Sequence, residues 1–318
     1  MSATALVELR AVSRWSGEVI GINRVTATLR PGVTGLLGPN GSGKSTLMNL
    51  VTGMLAPSQG EVLVHGEPVF ANPRLMHEVG YCTQVDSFYE TMTGVDFVAS
   101  LLEVRGWARA RARSGAIHAL EQLGMRPNMD RKIRGYSKGM RQRTKVALAI
   151  AHNPSILVLD EPLNGLDALG RHEMMDLVRR FGREGRNVLI SSHILHEVGA
   201  MTNNILVMAG GYVLAEGDVR EVRAALATKP RRIELRCDEP RRAALHFLAG
   251  EATHSVEVDD VAGGVVVQTR RLDEFHDLLN KLVLELGIEV RTVSVTDESV
   301  SSIFDTLSAT RRPGGTGQ

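Results

Sequence analysis

GPNGSGKST, residues 38 to 46, decides how the rest of the chain is read. Gly38, Gly43, Lys44 and Ser45 satisfy the phosphate-loop pattern, with Pro39, Asn40, Gly41 and Ser42 between them and Thr46 just after. Glycines let successive backbone N–H groups curl around phosphate oxygens in dihedrals that a Cβ would forbid. Lys44 can then reach the β- and γ-phosphates as a point charge, and the Ser45 hydroxyl can ligate Mg²⁺. The frame agrees: strand-like VTGLL precedes the loop, and helix-like STLMNLVTG follows with its positive end toward the same phosphates.

Outward from the loop, short β-branched runs alternate with turns: LVEL, VTATL, VTGLLG and EVLVHG read as strands. From about residue 90 to 152 the periodicity becomes helical, as in DFVASLLEVRGW and SGAIHALEQLG. Strands and helices then alternate again: SILVLD, LGRHEMMDLVRRFG, NVLISS, ILHEVGAM, ILVMAG and YVLAEG. This is the order of an α/β sheet with a helical insertion. A basic, proline-containing joint at Lys229–Arg232 separates a second region. RIELRC, PRRAALHFLAG, HSVEVDD, GVVVQTR, LDEFHDLLNKLVLELG and IEVRTVSV predict strand, helix, two paired strands, helix and strand, a small ferredoxin-like α+β unit. Leu272, Phe275, Leu278, Leu279, Leu282, Val283 and Leu286 keep helical spacing on one predicted face. ESVSSIFDTLSA predicts a last helix, and the tail RRPGGTGQ, 311–318, is expected to be disordered. The expected domains are therefore 5–228, with its helical subdomain at about 90–152, and 229–310.

Bulk properties narrow the function classes. A chain of 318 residues is long enough for one large and one small domain. With 43% hydrophobic and 23% charged residues, its composition is that of an ordinary globular protein. A formal net charge of +1 supplies no global basic field, so no nucleic-acid partner is expected. The Arg-rich stretch RGWARARARSG at 105–115 reads as a solvated helix face and connection. Cys82 and Cys237 are too few for a disulfide framework and fit a reducing compartment. MSATALVELR lacks the pattern of a secretory signal. No run approaches the roughly 20 apolar residues of a bilayer span, so a membrane role must come through a partner.

A phosphate loop needs a carboxylate on a neighbouring strand to hold Mg²⁺. SILVLDEP provides it: Asp160 ends an apolar run, and Glu161 follows where it can polarise an attacking water.

With these residues in place, the chain resembles the ATP-binding subunits of ABC transporters over about residues 5 to 225. Seven stations occur in the family's order. Besides the phosphate loop and ILVLDEP, Trp15 stands where an aromatic stacks on adenine, and Gln84 matches a glutamine that senses magnesium, the attacking water and the transmembrane partner. YSKGMRQR, 136–143, stands at the family signature, with Ser137 and Gly139 kept, Lys138 in place of a glycine and Met140 in place of a glutamine. Asn164 to Asp167 match the loop that crosses the dimer interface, and His193 matches the histidine that touches the γ-phosphate. Ser137 also reads as a helix N-cap. Phe88 and Tyr89 read equally as core or as the lining of a groove for a partner's helix.

The resemblance implies an ATPase that uses ATP and Mg²⁺, a second ATP-binding subunit (a homodimer), and an integral membrane permease beside which the chain sits at the cytoplasmic face of the cell membrane. The form of the signature and the C-terminal region resemble a bacterial type-2 exporter subgroup. Two rivals stand against this reading. One is a soluble ABC ATPase acting on ribosomes, DNA or cofactor assembly. Ribosome-acting members usually carry two ATPase halves and DNA-repair members long coiled coils, whereas this chain has one phosphate loop and no sustained heptads. A small GTPase or kinase would leave the signature and His193 unexplained.

Overall fold

The computed structural model describes residues 7–221, 231–251, 253–259 and 263–296, with residues 295 and 296 described by backbone alone. The helix expected at 298–309, the tail at 311–318 and part of the joint at 229–232 lie outside the described residues. The chain divides into two compact units, one ending at Val219 and the other starting at Arg220.

The first unit contains two sheets. β1 (Val7–Ser16), β2 (Val19–Leu29), β4 (Gln59–Val64) and β5 (Glu67–Pro68) form an antiparallel sheet in the order β2-β1-β4-β5. The second sheet has six strands: β3 (Gly32–Leu37), β6 (Val79–Cys82), β7 (Ile156–Leu159), β8 (Asn187–Ser192), β9 (Asn204–Ala209) and β10 (Tyr212–Asp218), in the order β10-β9-β3-β8-β7-β6. All its pairs are parallel except β10 with β9. Every residue of β7 and β8 is buried, as strands covered on both faces must be. The sequence periodicity shows one α/β alternation; the separate antiparallel layer emerges only from pairing.

α1 (Lys44–Val51) places Leu47, Met48, Leu50 and Val51 in a core drawn from strands of both sheets. After α2 (Pro73–Met76), the helical insertion comprises α3 (Gly94–Val104), α4 (Arg109–Gln122), a 3₁₀ turn at Ile133–Gly135 and α5 (Lys138–Ile150). Val95, Phe97, Leu102, Leu120 and Ile133 bury their side chains in a second core that continues to the six-stranded sheet. The arginine-rich stretch lies on the surface of α4: Arg113 pairs with Asp96 at 2.9 Å, and the Arg111 guanidinium stacks 4.1 Å over Trp107. Phe88 packs 5.1 Å from Phe97 against this core, whereas Tyr89 is exposed. α6 (Ala168–Arg183) and α7 (Leu195–Met201) complete the unit. Both cysteines are free and buried, and burial pushes the Cys82 thiol up to about 12.

The second unit carries β11 (Arg231–Cys237), α8 (Pro240–Leu248), β12 (Thr253–Asp259), β13 (Gly264–Thr269), α9 (Leu272–Leu284) and β14 (Val290–Thr296). Its four strands are all antiparallel in the order β12-β13-β11-β14, the interleaved topology of a ferredoxin-like unit. β11 alternates Ile233, Leu235 and Cys237 inward with charged residues outward. One departure from the predicted stripe is physical: α9 ends at Leu284, so Leu286 lies past it, and Val283 and Leu286 are 42% and 38% exposed. Phe247 and Phe275 stack at 5.2 Å in the centre of this core. Phe247→Ala is expected to destabilise this unit by about 3–5 kcal/mol. Chemical denaturation followed by circular dichroism should show an earlier transition; an unchanged melt would contradict the packing.

Candidate functional site

Four parallel strands bring their carboxyl ends to one edge. β3, β8, β7 and β6 run in register, with Gly35 opposite Ile190, Ile190 opposite Leu159 and Leu159 opposite Cys82. The segments that follow them emerge side by side: the phosphate loop after β3, His193 after β8, Asp160 and Glu161 after β7, Gln84 after β6. Ligands of parallel sheets bind at this end. A cavity of about 520 Å³ opens there. Asn40, Gly41, Gly43, Lys44, Ser45 and Thr46 line it from the loop and the start of α1, Gln84, Asp160 and Glu161 from the strand ends, and Val19, Ile20 and Gly21 from the start of β2.

The loop geometry follows from its sequence. Gly43 caps α1 at φ +101°, and a Cβ there would come 2.5 Å from the Gly21 carbonyl oxygen, so no other residue fits. α1 has no side-chain N-cap bond and no acidic residue in its first turn, which leaves its positive end for an anion. Lys44 is buried, and its Nζ donates to the carbonyls of Gly38 at 2.7 Å and Pro39 at 3.1 Å. Burial pushes the Lys44 ammonium below its ordinary value, against the opposing pull of Glu161 and Asp160. Ser42 is buried in the loop, and its Oγ has no protein partner.

Opposite the loop, Asp160 is 3% exposed and held on both oxygens: Ser45 Oγ donates to Oδ2 at 2.9 Å and Ser191 Oγ to Oδ1 at 2.7 Å. Glu161 follows in left-handed backbone at φ +50°. Such a conformation costs a residue with a Cβ about 1–3 kcal/mol and tends to occur where function over-determines it. Its N–H donates to Ser191 Oγ at 2.8 Å, and its carboxylate lies 3.1 Å from His193 Nδ1. His193 is half exposed while Glu161 is almost fully buried.

The remaining predicted residues lie away from this cavity. Trp15 sits half-buried on β1, paired with Ile20, and does not line it. Val19 and Ile20 line it instead, 71% and 36% exposed. Ser137 caps α5, its Oγ accepting the Met140 N–H at 3.2 Å, with Lys138 and Gly139 in the first turn. Asp167 caps α6 through Gly170 N–H at 2.8 Å. The segment between Asp160 and α6 packs on the first turn of α5: a Cβ on Gly165, at φ +78°, would lie 3.1 Å from Lys138 Cβ. Signature and interface loop are thus neighbours within one chain.

Sequence reasoning missed Ser191, Val19, Ile20 and a buried network below His193. In that network Glu197 accepts from Arg171 Nη1 at 2.7 Å and from Ser192 Oγ at 3.0 Å. Two hydroxyls, Ser191 and Ser192, directly after the apolar run Val188–Ile190 were the available signal.

The residues present fit Mg²⁺. Ser45 and Asp160 are hard oxygen donors beside each other, and Gln84 adds an amide oxygen on the same cavity. Among the described residues no group of three or more His, Cys, Asp or Glu forms a closed metal cage. That suits an ion whose coordination is completed by phosphates and water.

Comparison with known proteins identifies the family. The family model described as ABC transporter matches residues 22–164. The daunorubicin/doxorubicin resistance ATP-binding protein of Streptomyces peucetius is 31% identical over 276 residues, covering 86% of this chain and 82% of that protein. The bacitracin transport ATP-binding protein of Enterococcus faecalis is 32% identical, covering 68% of this chain and 70% of that one. In fold, a dimeric bacterial ABC transporter cassette superposes with a TM-score of 0.62 at 23% identity, covering 67% of this chain and 99% of that one.

Proposed function

The chain belongs to the ABC transporter family as one of its ATP-hydrolysing subunits, and from that premise we propose that it drives export through a separate membrane permease. The observation that carries the reading is the single cavity where Lys44, Ser45, Asp160 and Glu161 converge at one sheet edge. Among the described residues no helix is long and apolar enough to cross a membrane, so the transport path belongs to a partner. The proposed place of work is the cytoplasmic face of the cell membrane, against that permease. The named cargoes of the relatives make hydrophobic drugs or peptide antibiotics the first class to test. The likeness to transporter subunits along most of the chain favours this over a soluble ABC ATPase.

In the proposed mechanism, residues 5–228 form the ATPase and 229–310 an accessory domain. Lys44 leaves the Gly38 and Pro39 carbonyls to neutralise the β- and γ-phosphates, while α1 directs its N-terminal N–H groups at them. Ser45, Asp160 and Gln84 would hold Mg²⁺, which would supply neutralisation of the phosphate charge. Glu161 takes a proton from the attacking water and orients it in line with the γ-phosphorus. His193, with its proton on Nδ1, aims the Glu161 carboxylate and then reaches the γ-phosphate from its half-exposed position. Val19 and Ile20 receive the base at the rim of the cavity, and Trp15, the aromatic expected to stack on it, supports them from β1, where it pairs with Ile20.

Ser137 and Gly139 bind the γ-phosphate held by a second copy of the chain, with Lys138 and Met140 in the same first turn and Asp167 at the interface. Closure of the pair moves the permease and hydrolysis resets it. Co-purification with its membrane partner into vesicles tests the reading. Mg-ATP is expected to drive accumulation of a fluorescent anthracycline or release of bacitracin, with ATP consumed in step. Vesicles that hydrolyse ATP but move neither class would remove the cargo assignment, and a chain that hydrolyses none would remove the motor itself.

A further inference from the structure

One buried hydroxyl that none of the motifs above contains ties the Asp160 carboxylate to the backbone of Glu161. Ser191 has no solvent exposure and sits one residue before the end of β8. Its Oγ donates to Asp160 Oδ1 at 2.7 Å and accepts the Glu161 N–H at 2.8 Å. The geometry has a backbone cause. β7 and β8 pair in parallel only as far as Leu159 opposite Ile190. Beyond that point the ladder stops, because Glu161 turns into left-handed backbone. Its buried N–H needs an acceptor. The next residue of the neighbouring strand supplies one from its side chain, and the same oxygen uses its proton to fix Asp160.

We propose that Ser191 is a positioning residue for ATP hydrolysis: one hydroxyl orients Asp160 toward the metal and holds the turn that aims Glu161 at the attacking water. The inference rests on the ATPase reading above. Asp160 has a second partner, Ser45 Oγ on Oδ2. Ser45 is itself committed to the metal and phosphate, so when nucleotide binds, Ser191 is what keeps the carboxylate from rotating. The Lys44 contacts with Gly38 and Pro39 lie on the other side of the cavity and do not involve Ser191. Loss of its hydroxyl should therefore disturb metal and chemistry while sparing phosphate capture.

The test measures three quantities on wild type and Ser191→Ala in the full chain. They are ATP affinity in EDTA, Mn²⁺ affinity in the presence of a non-hydrolysable ATP analogue by electron paramagnetic resonance, and kcat with KM for Mg-ATP. Residues that orient a metal ligand commonly change metal affinity or activity by about 10–100-fold when removed. Mn²⁺ affinity and kcat are each expected to fall within that range, with ATP affinity in EDTA and KM within about three-fold of wild type. A purely structural role would weaken all of them together, and that outcome overturns the proposal. So does Mn²⁺ affinity and kcat both within two-fold of wild type. Should Ser191→Ala not fold, Ser191→Cys carries the same measurements, since a thiol keeps the volume but is a weak donor and acceptor. The same losses are expected there, and a Cys variant matching wild type overturns the inference. A wild-type chain without Mg-ATP hydrolysis would instead overturn the ATPase reading.

Discussion

Glu161→Gln is expected to stop turnover while leaving nucleotide binding in place. The amide keeps the size of the carboxylate, and its oxygen can still accept from His193 Nδ1, which lies 3.1 Å away in the native protein. The backbone bond from Glu161 N–H to Ser191 Oγ is untouched by the change, so the left-handed turn is retained. Lys44, Ser45 and Asp160 remain to hold ATP and Mg²⁺. What disappears is a group able to take the proton of the attacking water. Positioned acid–base groups commonly supply ~10²–10⁴-fold, and hydrolysis should fall by at least that factor. With closure allowed and reset blocked, an ATP-bound pair should accumulate, held by Ser137 and Gly139 across the interface. Size-exclusion chromatography in Mg-ATP should move the variant from monomer to dimer. Adding Ser137→Arg, which puts a bulky cation at the cap of α5, should return it to monomer. Wild-type turnover in Glu161→Gln would take the base role away from that carboxylate. An inactive variant that never dimerises, even beside its permease, would count against sites shared between two chains.

The phosphate loop was legible because its chemistry is local: nine consecutive residues carry both the backbone freedom and the charge that phosphate needs. The placement of Asp160 and Glu161 was legible only together with the phosphate loop. A strand-end acid is common by itself, and it is the loop's need for a neighbouring carboxylate that singled out this pair, which the structure sets beside Ser45. The strand order of the second unit was also readable. Two β-α-β passes joined by a hairpin interleave in few ways, and β12-β13-β11-β14 is one of them. Ser191 was not legible. A serine in a buried strand has no periodic signature, and its importance comes from the register of β8 against β7, which no local pattern encodes. Val19 and Ile20 failed to stand out for the opposite reason. They are ordinary strand residues at the start of β2, and only the tertiary fold brings them to the rim of the cavity with exposures of 71% and 36%. The first turn of α5 cannot meet the cavity within one chain if the site is shared, and sequence offers no distance between them.

Lys44→Ala should abolish tight ATP binding and leave the fold standing, because in the proposed site this lysine captures phosphate. Its Nζ is engaged with two backbone carbonyls, at 2.7 and 3.1 Å, and with no side chain. Burial also holds its pKa below the ordinary lysine value despite the nearby Glu161 and Asp160. The linkage has a definite sign. A lysine whose folded pKa lies below its unfolded one binds protons more readily when unfolded, so its charge lowers stability below the folded pKa. That penalty fades as pH rises through the interval between the folded and unfolded values. Alanine removes the penalty, and the melting temperature near neutral pH should stay level or rise. Binding behaves oppositely. Charge-assisted hydrogen bonds contribute roughly 1.5–3 kcal/mol each, and the phosphates offer Lys44 at least two. After the two carbonyl bonds are given up, a net loss of about 3 kcal/mol corresponds to ~10²-fold in affinity. Fluorescence titration with a labelled ATP analogue, set beside a nucleotide-free thermal melt, separates the two effects. Unchanged affinity would remove the phosphate role from Lys44, and a collapsed melt would mean that the buried cation is structural after all.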